Sequence, residues 1–116
     1  MASFGAVRPV DLAHLACYTG GDTALNAEVL QLFSNQSVKL LNELQTALEA
    51  KDNKSWREVT HALKGAARGI GAFALADAAA MAETSQADGS DAKRALHALT
   101  LNARAVQSFI AAYLDA

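Results

Sequence analysis

The chain has 116 residues, of which 52% are hydrophobic, 6% aromatic and 19% charged, and its net charge is −2. This length fits one domain, and the apolar content excludes a disordered chain, because enough apolar surface is available to form a core. The negative balance argues against general nucleic-acid binding, which requires a basic surplus. Abundant alanine and a single proline favour helices. We therefore expect one all-α domain over residues 1–116, with its core at about 10–114.

The single cysteine and the short apolar stretches indicate a cytoplasmic protein. Cys17 has no partner for an intramolecular disulfide, which is typical of a reducing compartment, and we expect it to be a small buried apolar residue. Residues 1–10 contain no charged start followed by an apolar run, so no secretory signal is predicted. The longest apolar stretch, residues 69–76, is too short to cross a bilayer, and no membrane insertion is expected.

The first two helices follow from turn residues and apolar spacing. Pro9 and Asp11 can open a short helix that ends at Gly20-Gly21. Its apolar side consists of Leu12, Leu15 and Ala16. Asp22 then offers an N-cap for a second helix that is predicted to run to about residue 50. Apolar residues at spacings of three and four predict its buried face. These are Leu25, Val29, Leu32, Phe33, Leu40, Leu44, Ala47 and Leu48.

A polar break at residues 51–53 separates the second helix from the third. Asp52 or Asn53 can cap the third helix, and Ser55 with Glu58 forms a competing capping box. The predicted core face of this helix, anchored by its tryptophan, consists of Trp56, Val59, Leu63, Ala67 and Ile70.

Two further helices are predicted at about residues 72–87 and from about residue 92, separated by a turn at 88–91. The core face of the fourth helix is predicted to be Phe73, Leu75, Ala76, Ala79 and Ala82. That of the fifth is predicted to be Leu96, Leu99, Ala103, Val106, Ile110 and Tyr113. Helices joined by short loops run antiparallel beside their neighbours. The sequence therefore predicts an up-down-up-down four-helix bundle with a short extra N-terminal helix covering one end.

His61 does not belong to the core face of the third helix. It lies roughly 200° from both Val59 and Leu63, at about 100° per residue, so we expect it to face solvent. Its side of the helix carries four cations, one carboxylate and one glycine. These are Lys54, Arg57, Glu58, Lys64, Gly65 and Arg68. Residues 51–71 hold five basic and two acidic residues, net +3 in a chain of net −2. A solvated helix face is one interpretation of this pattern.

Gly65 favours a functional interpretation. A glycine within an exposed helix costs about 0.5–1 kcal/mol relative to alanine, which this chain uses freely. Because position i+4 adjoins His61, a missing Cβ opens the imidazole to a large partner; the alternative is that Gly65 permits tight helix packing. A neutral imidazole is a competent nucleophile, and the Lys64 charge can serve the phosphoryl oxygens and disfavour imidazolium. These residues predict a phosphoryl-accepting histidine without catalytic apparatus of its own.

Residues 61–72 resemble the signature of histidine-containing phosphotransfer (HPt) domains. That signature is a histidine, an apolar residue two positions later, then lysine and glycine, and another glycine six residues further on. The matching residues are His61, Leu63, Lys64, Gly65 and Gly71. Flanking residues also agree, namely Asp52, Trp56, Leu75, Ala76 and Glu83, as do the stretches 10–12, 20–22 and 30–33. The resemblance spans about residues 10–114.

The resemblance implies a shuttle in a multistep phosphorelay. The outer ring nitrogen of His61 would take a phosphoryl group from the aspartate of one receiver domain and pass it to another, in response regulators and a hybrid histidine kinase. The receiver would contribute Mg²⁺, so the chain itself needs no cofactor, and a monomer is expected. Carried over by position, Lys64 assists near the phosphate and Gly65 gives clearance. The expected receiver contacts are Lys54, Arg57, Glu58, Arg68, Leu12, Leu15 and Ala16.

Three other functions fit the residues less well. A docking module that carries no phosphate is disfavoured by the intact His61. An enzyme with its own ATP site would need a nucleotide motif that the chain lacks. A generic dimerising bundle leaves Gly65 and the cationic face unexplained. Neither His14 nor His97 has cationic neighbours comparable to those of His61, and no cluster has the spacing of a metal site.

Overall fold

The computed structural model describes residues 8–116, so the predicted absence of a secretory signal in residues 1–10 falls largely outside it. Its helices are α1 (Leu12–Thr19), α2 (Thr23–Ala50), α3 (Asn53–Gly69), α4 (Phe73–Glu83) and α5 (Ala92–Asp115). The four long helices form a closed ring, because α3 packs against α2 and α4 while α5 packs against α4 and α2. The predicted all-α bundle with an extra N-terminal helix is confirmed. Within residues 8–116, no helix is long and apolar enough to span a membrane.

Aspartate side chains begin the first three helices. Asp11, Asp22 and Asp52 each accept a hydrogen bond from the backbone N–H three residues later, at 3.0–3.1 Å. Asp52 is therefore the N-cap of α3, which settles the choice left open by the sequence. The backbone N–H and hydroxyl of Ser55 both donate to this carboxylate, and these bonds hold the pKa of Asp52 below its ordinary value.

The buried face of α2 differs from the predicted one. Leu25 and Leu32, predicted to be core residues, are 41% and 69% exposed, whereas Leu30 is fully buried. Asn26 and Ser37 share the buried face with Leu30, and both side chains hydrogen-bond to residues of α5. The prediction is confirmed for Phe33, Leu40, Leu44 and Ala47. It is wrong for Leu25 and Leu32, because the polar residues interrupt the apolar pattern toward the start of the helix. A buried polar group is tolerated when it is hydrogen-bonded in this way.

The fourth helix ends at Glu83, about four residues earlier than predicted. Trp56 is fully buried and donates its indole N–H to the carbonyl of Ala82 at 2.9 Å. The N–H of Ser85 bonds to the same oxygen at 3.0 Å, three residues on rather than four. Both lone pairs of this carbonyl are thereby used, and the last turn closes without extending the helix. The prediction that Trp56 anchors the core is confirmed.

Cys17 and Phe73 are exposed, contrary to prediction. The eight residues of α1 bury only Leu15 and Thr19, which leaves Cys17 on the solvent side. Phe73 is 44% exposed, and its ring meets that of His14 edge-on with centroids 5.0 Å apart. Phe73 is therefore partly covered by an aromatic contact between α1 and α4 at the surface, and it does not lie in the core.

Gly71 lies where the start of α1 meets the turn between α3 and α4. Its carbonyl accepts the N–H of Asp11 at 2.9 Å, and its φ is +81°. A Cβ at this position would lie 2.7 Å from the carbonyl oxygen of Asp11, closer than van der Waals contact allows. Both the left-handed backbone and this close approach require glycine. The second glycine of the sequence motif therefore holds α1 against the bundle.

Gly71→Ala is expected to lower the free energy of unfolding by about 1–3 kcal/mol, because the variant adds backbone strain and a steric clash. Urea denaturation measures the change. Gly69→Ala is the matched control, since nothing lies within 4 Å of a Cβ at Gly69. Equal stability of the two variants would contradict this role for Gly71.

Candidate functional site

The third helix places His61 on the surface of the bundle. Trp56 and Leu63 are fully buried on the opposite face and fix the rotation of the helix. The His61 side chain is 69% exposed, as the helical spacing predicted. The imidazole is therefore accessible to a partner without any movement of the core.

Glu83, in the last turn of α4, contacts both His61 and Lys64 of the motif. Its Oε2 lies 3.0 Å from His61 Nδ1, and its Oε1 accepts the ammonium of Lys64 at 2.6 Å. Lys64 is foremost among the causes that lower the pKa of Glu83, with a smaller contribution from His61, while burial opposes the shift. Glu83 is therefore an ionised carboxylate that can only accept hydrogen bonds.

This contact determines which nitrogen of His61 is free. Because the carboxylate only accepts, Nδ1 must carry the proton that it donates to Glu83. In the neutral ring the lone pair then resides on Nε2, the nitrogen at the outer end of the side chain. A nucleophilic nitrogen is thus held in one tautomer and directed away from the Glu83 contact.

The contacts of Lys64 differ from those that its spacing from His61 predicted. It was expected to act directly on His61 and on phosphoryl oxygens, but its ammonium lies on Glu83 and its side chain is only 19% exposed. The sequence resemblance includes Glu83 only as a residue flanking the motif. Glu83 follows His61 by 22 residues on another helix, so spacing within α3 could not indicate the contact.

The remaining charged residues of this face are all exposed. They are Lys54, Arg57, Glu58 and Arg68. Within residues 8–116, the two ion pairs closer than 4 Å are both formed by Glu83, so none of these four takes part in one. Gly65 is also exposed, and a Cβ there would have nothing within 4 Å. This excludes the alternative that Gly65 exists to allow close helix packing.

Of the apolar residues expected to contact a receiver, Leu15 was predicted wrongly, because it is not at the surface. Leu15 is 1% exposed and lies in the core, because it is the position of α1 that faces the bundle. Leu12 and Ala16 are partly buried and keep some surface. Leu25 and Leu32 of α2 are more exposed, at 41% and 69%.

Replacing Glu83 with glutamine is expected to weaken the site and reduce stability. The amide still accepts a bond from Nδ1 but loses its charge, so Lys64 is no longer neutralised. The folded-state pKa of Glu83 is lowered, so its contribution to stability is complete above its ordinary value of 4.5 and is lost as the pH falls through the lower folded pKa. Denaturation of wild type and Glu83→Gln should therefore differ at pH 7 and converge in acid. A difference independent of pH would contradict the ionic origin.

The site is thus an exposed histidine, fixed in one tautomer by Glu83, on an antiparallel helical bundle. The sequence model of the Hpt domain matches residues 28–112, and the chain belongs to this family. It is accordingly a histidine phosphotransfer protein of a phosphorelay. The predicted family resemblance is confirmed.

A solved structure shares the fold. The crystal structure of histidine-containing phosphotransfer protein B (HptB) from Pseudomonas aeruginosa PAO1 superposes with a TM-score of 0.82 at 22% identity, covering 90% of this chain and 93% of the other. No curated protein matches the chain in sequence. At this identity the structural similarity shows the fold alone, and the function rests on the family match.

Proposed function

We propose that His61 is the phosphoryl acceptor and that the group comes from, and returns to, receiver-domain aspartates. The observation that carries this proposal is the Nδ1 contact with Glu83 on a ring that is 69% exposed. That contact leaves Nε2 with its lone pair directed outward. His14 and His97 form no hydrogen bond from Nδ1 to a carboxylate in the described part of the chain, and neither is accompanied by a comparable cationic face.

The chemistry requires little from this chain beyond a positioned nucleophile. The Nε2 lone pair attacks phosphorus, the bond to the receiver aspartate breaks, and its electron pair leaves with the carboxylate. The positive charge that develops on the imidazole is shared through Nδ1–H with Glu83. Mg²⁺ and the in-line arrangement belong to the receiver, so the chain needs no ATP site and no cofactor.

The receiver would dock on the face of α3 that carries His61. Exposed apolar side chains that could add to this contact occur on α2, where Leu32 is 69% exposed. Exposed apolar side chains next to a charged rim are typical of transient interfaces. The cations Lys54, Arg57 and Arg68 would face the acidic active site of the receiver. Leu12 extends this surface onto α1.

The decisive experiment mixes the protein with a panel of labelled, phosphorylated receivers of response regulators and hybrid kinases. We expect label to move to this chain from at least one receiver and back. ATP and Mg²⁺ without a receiver or kinase should produce no phosphohistidine. Labelling by ATP alone would contradict a carrier role, and failure with every receiver would favour a docking module that carries no phosphate.

We further propose that the protein acts as a monomer in the cytoplasm. The thiol of Cys17 is free and exposed, and it stays reduced in that compartment. A monomer leaves the His61 face open to each receiver in turn.

A further inference from the structure

The His61 site has no free cation where the motif suggests one. The ammonium of Lys64 is 2.6 Å from Glu83, so the two charges cancel locally. A phosphoryl group on His61 would add a charge of about −1.5 to −2 and three strong acceptor oxygens. Another cation must therefore balance the phosphorylated state.

Arg57 is placed to do so. It precedes His61 by four residues, about 40° around the helix, and side chains at this spacing are neighbours on a helix surface. A helical side chain leans toward the N-terminus of its helix, so the His61 side chain leans toward the turn that contains Arg57. Arg57 is exposed, and its side chain has no ion-pair or hydrogen-bond partner among residues 8–116.

The other charged residues of this face are less well placed. Arg68 lies two turns from His61 in the opposite direction, beyond the open position of Gly65. Lys54 lies two turns away on the other side. Glu58 is on the opposite flank, about 60° from His61, and would repel a phosphate. Among the unpaired cations on this side of α3, Arg57 is thus the one closest to His61 along the helix.

We propose that Arg57, rather than Lys64, is the residue that holds the phosphoryl group on His61. The guanidinium fork can donate two parallel hydrogen bonds to phosphoryl oxygens, which an ammonium cannot do. Lys64 instead keeps Glu83 in place against Nδ1. This inference rests on the proposed function of His61 and assigns the phosphate contact within that site.

A small-molecule donor tests this contact without a receiver, so docking cannot confound it. Phosphoramidate is mixed with the full chain: Nε2 attacks phosphorus, the P–N bond breaks, and the nitrogen takes a proton from water and leaves as ammonia. The loading rate is followed by ³¹P NMR. The Nε–H signals of the arginines are recorded before and after loading.

We expect Arg57→Gln to slow loading about two- to fivefold, the range set by one exposed charge pair. Arg57→Lys, which keeps the charge but not the fork, should be intermediate. Arg104→Gln, exposed on α5, is the matched control and should load at the wild-type rate. Phosphorylation should shift the Nε–H signal of Arg57 and leave that of Arg104 unchanged.

A wild-type loading rate in Arg57→Gln, or an unchanged Arg57 signal in the phosphorylated protein, would overturn the assignment. The variant His61→Gln distinguishes failure of the proposed function from failure of the Arg57 assignment alone. If that variant loads as fast as wild type, the acceptor is another residue, and the proposed function fails together with this inference. Thermal melting of each variant verifies that the fold is retained.

Discussion

His61→Gln is expected to abolish phosphoryl transfer and to leave the helical fold intact. Glutamine has no ring nitrogen with a lone pair that can attack phosphorus, so no covalent intermediate can form. The side chain is 69% exposed and contributes nothing to the core, so the melting temperature should change little. Transfer of label from a phosphorylated receiver and circular dichroism on the same sample measure the two effects.

His97→Gln is the matched control for this substitution. His97 is exposed on α5, so the chemical change is the same at a position remote from the α3 face. The control should accept label at the wild-type rate. Continued labelling of His61→Gln, or loss of labelling in His97→Gln, would place the acceptor elsewhere.

Side chains added at Gly65 are expected to have different effects on the stability of the fold and on the rate of phosphoryl transfer. Gly65→Ala should be neutral or stabilise the protein by up to about 0.5–1 kcal/mol, because alanine is the better helix former and the new Cβ meets nothing. Gly65→Gln should keep the fold but slow transfer by roughly tenfold or more, because a long side chain beside His61 blocks the receiver. Urea denaturation and transfer rates on both variants test this.

Ala98→Gln provides the corresponding control, since it adds a long side chain at an exposed position of α5. Its transfer rate should equal that of wild type. A destabilised Gly65→Ala with normal transfer per folded molecule would contradict the access role. Normal transfer in Gly65→Gln would do so as well.

Within α3, the sequence was sufficient to orient the site. The spacing of Trp56 and Leu63 placed His61 on the opposite, solvent-facing side, and the structure agrees. This worked because both the core and the site lie on one regular helix, where position around the axis follows from residue number. The same reasoning was wrong for Leu25 and Leu32 of α2, where the buried, hydrogen-bonded Asn26 and Ser37 occupy core positions that an apolar pattern does not reveal.

The contact of Glu83 could not be predicted in the same way. It depends on where α4 ends and how it packs against α3, and the end of α4 is set by the long-range bond from Trp56 to Ala82. The pairing of Lys64 with Glu83 depends on that packing as well. Local spacing carries no information about such tertiary contacts, so the pairing of Lys64 with Glu83 was not predicted.

The Glu83 contact makes reactivity a property of the folded chain rather than of the motif. A peptide spanning α3 alone would contain His61, Lys64 and Gly65 but not the carboxylate that selects the Nδ1–H tautomer. In such a peptide the imidazole would exchange its proton between both nitrogens, and Lys64 would be free in solution. Fraying of the last turn of α4 would have the same effect on the intact protein. The chain therefore presents a defined nucleophile only while its third and fourth helices are packed together.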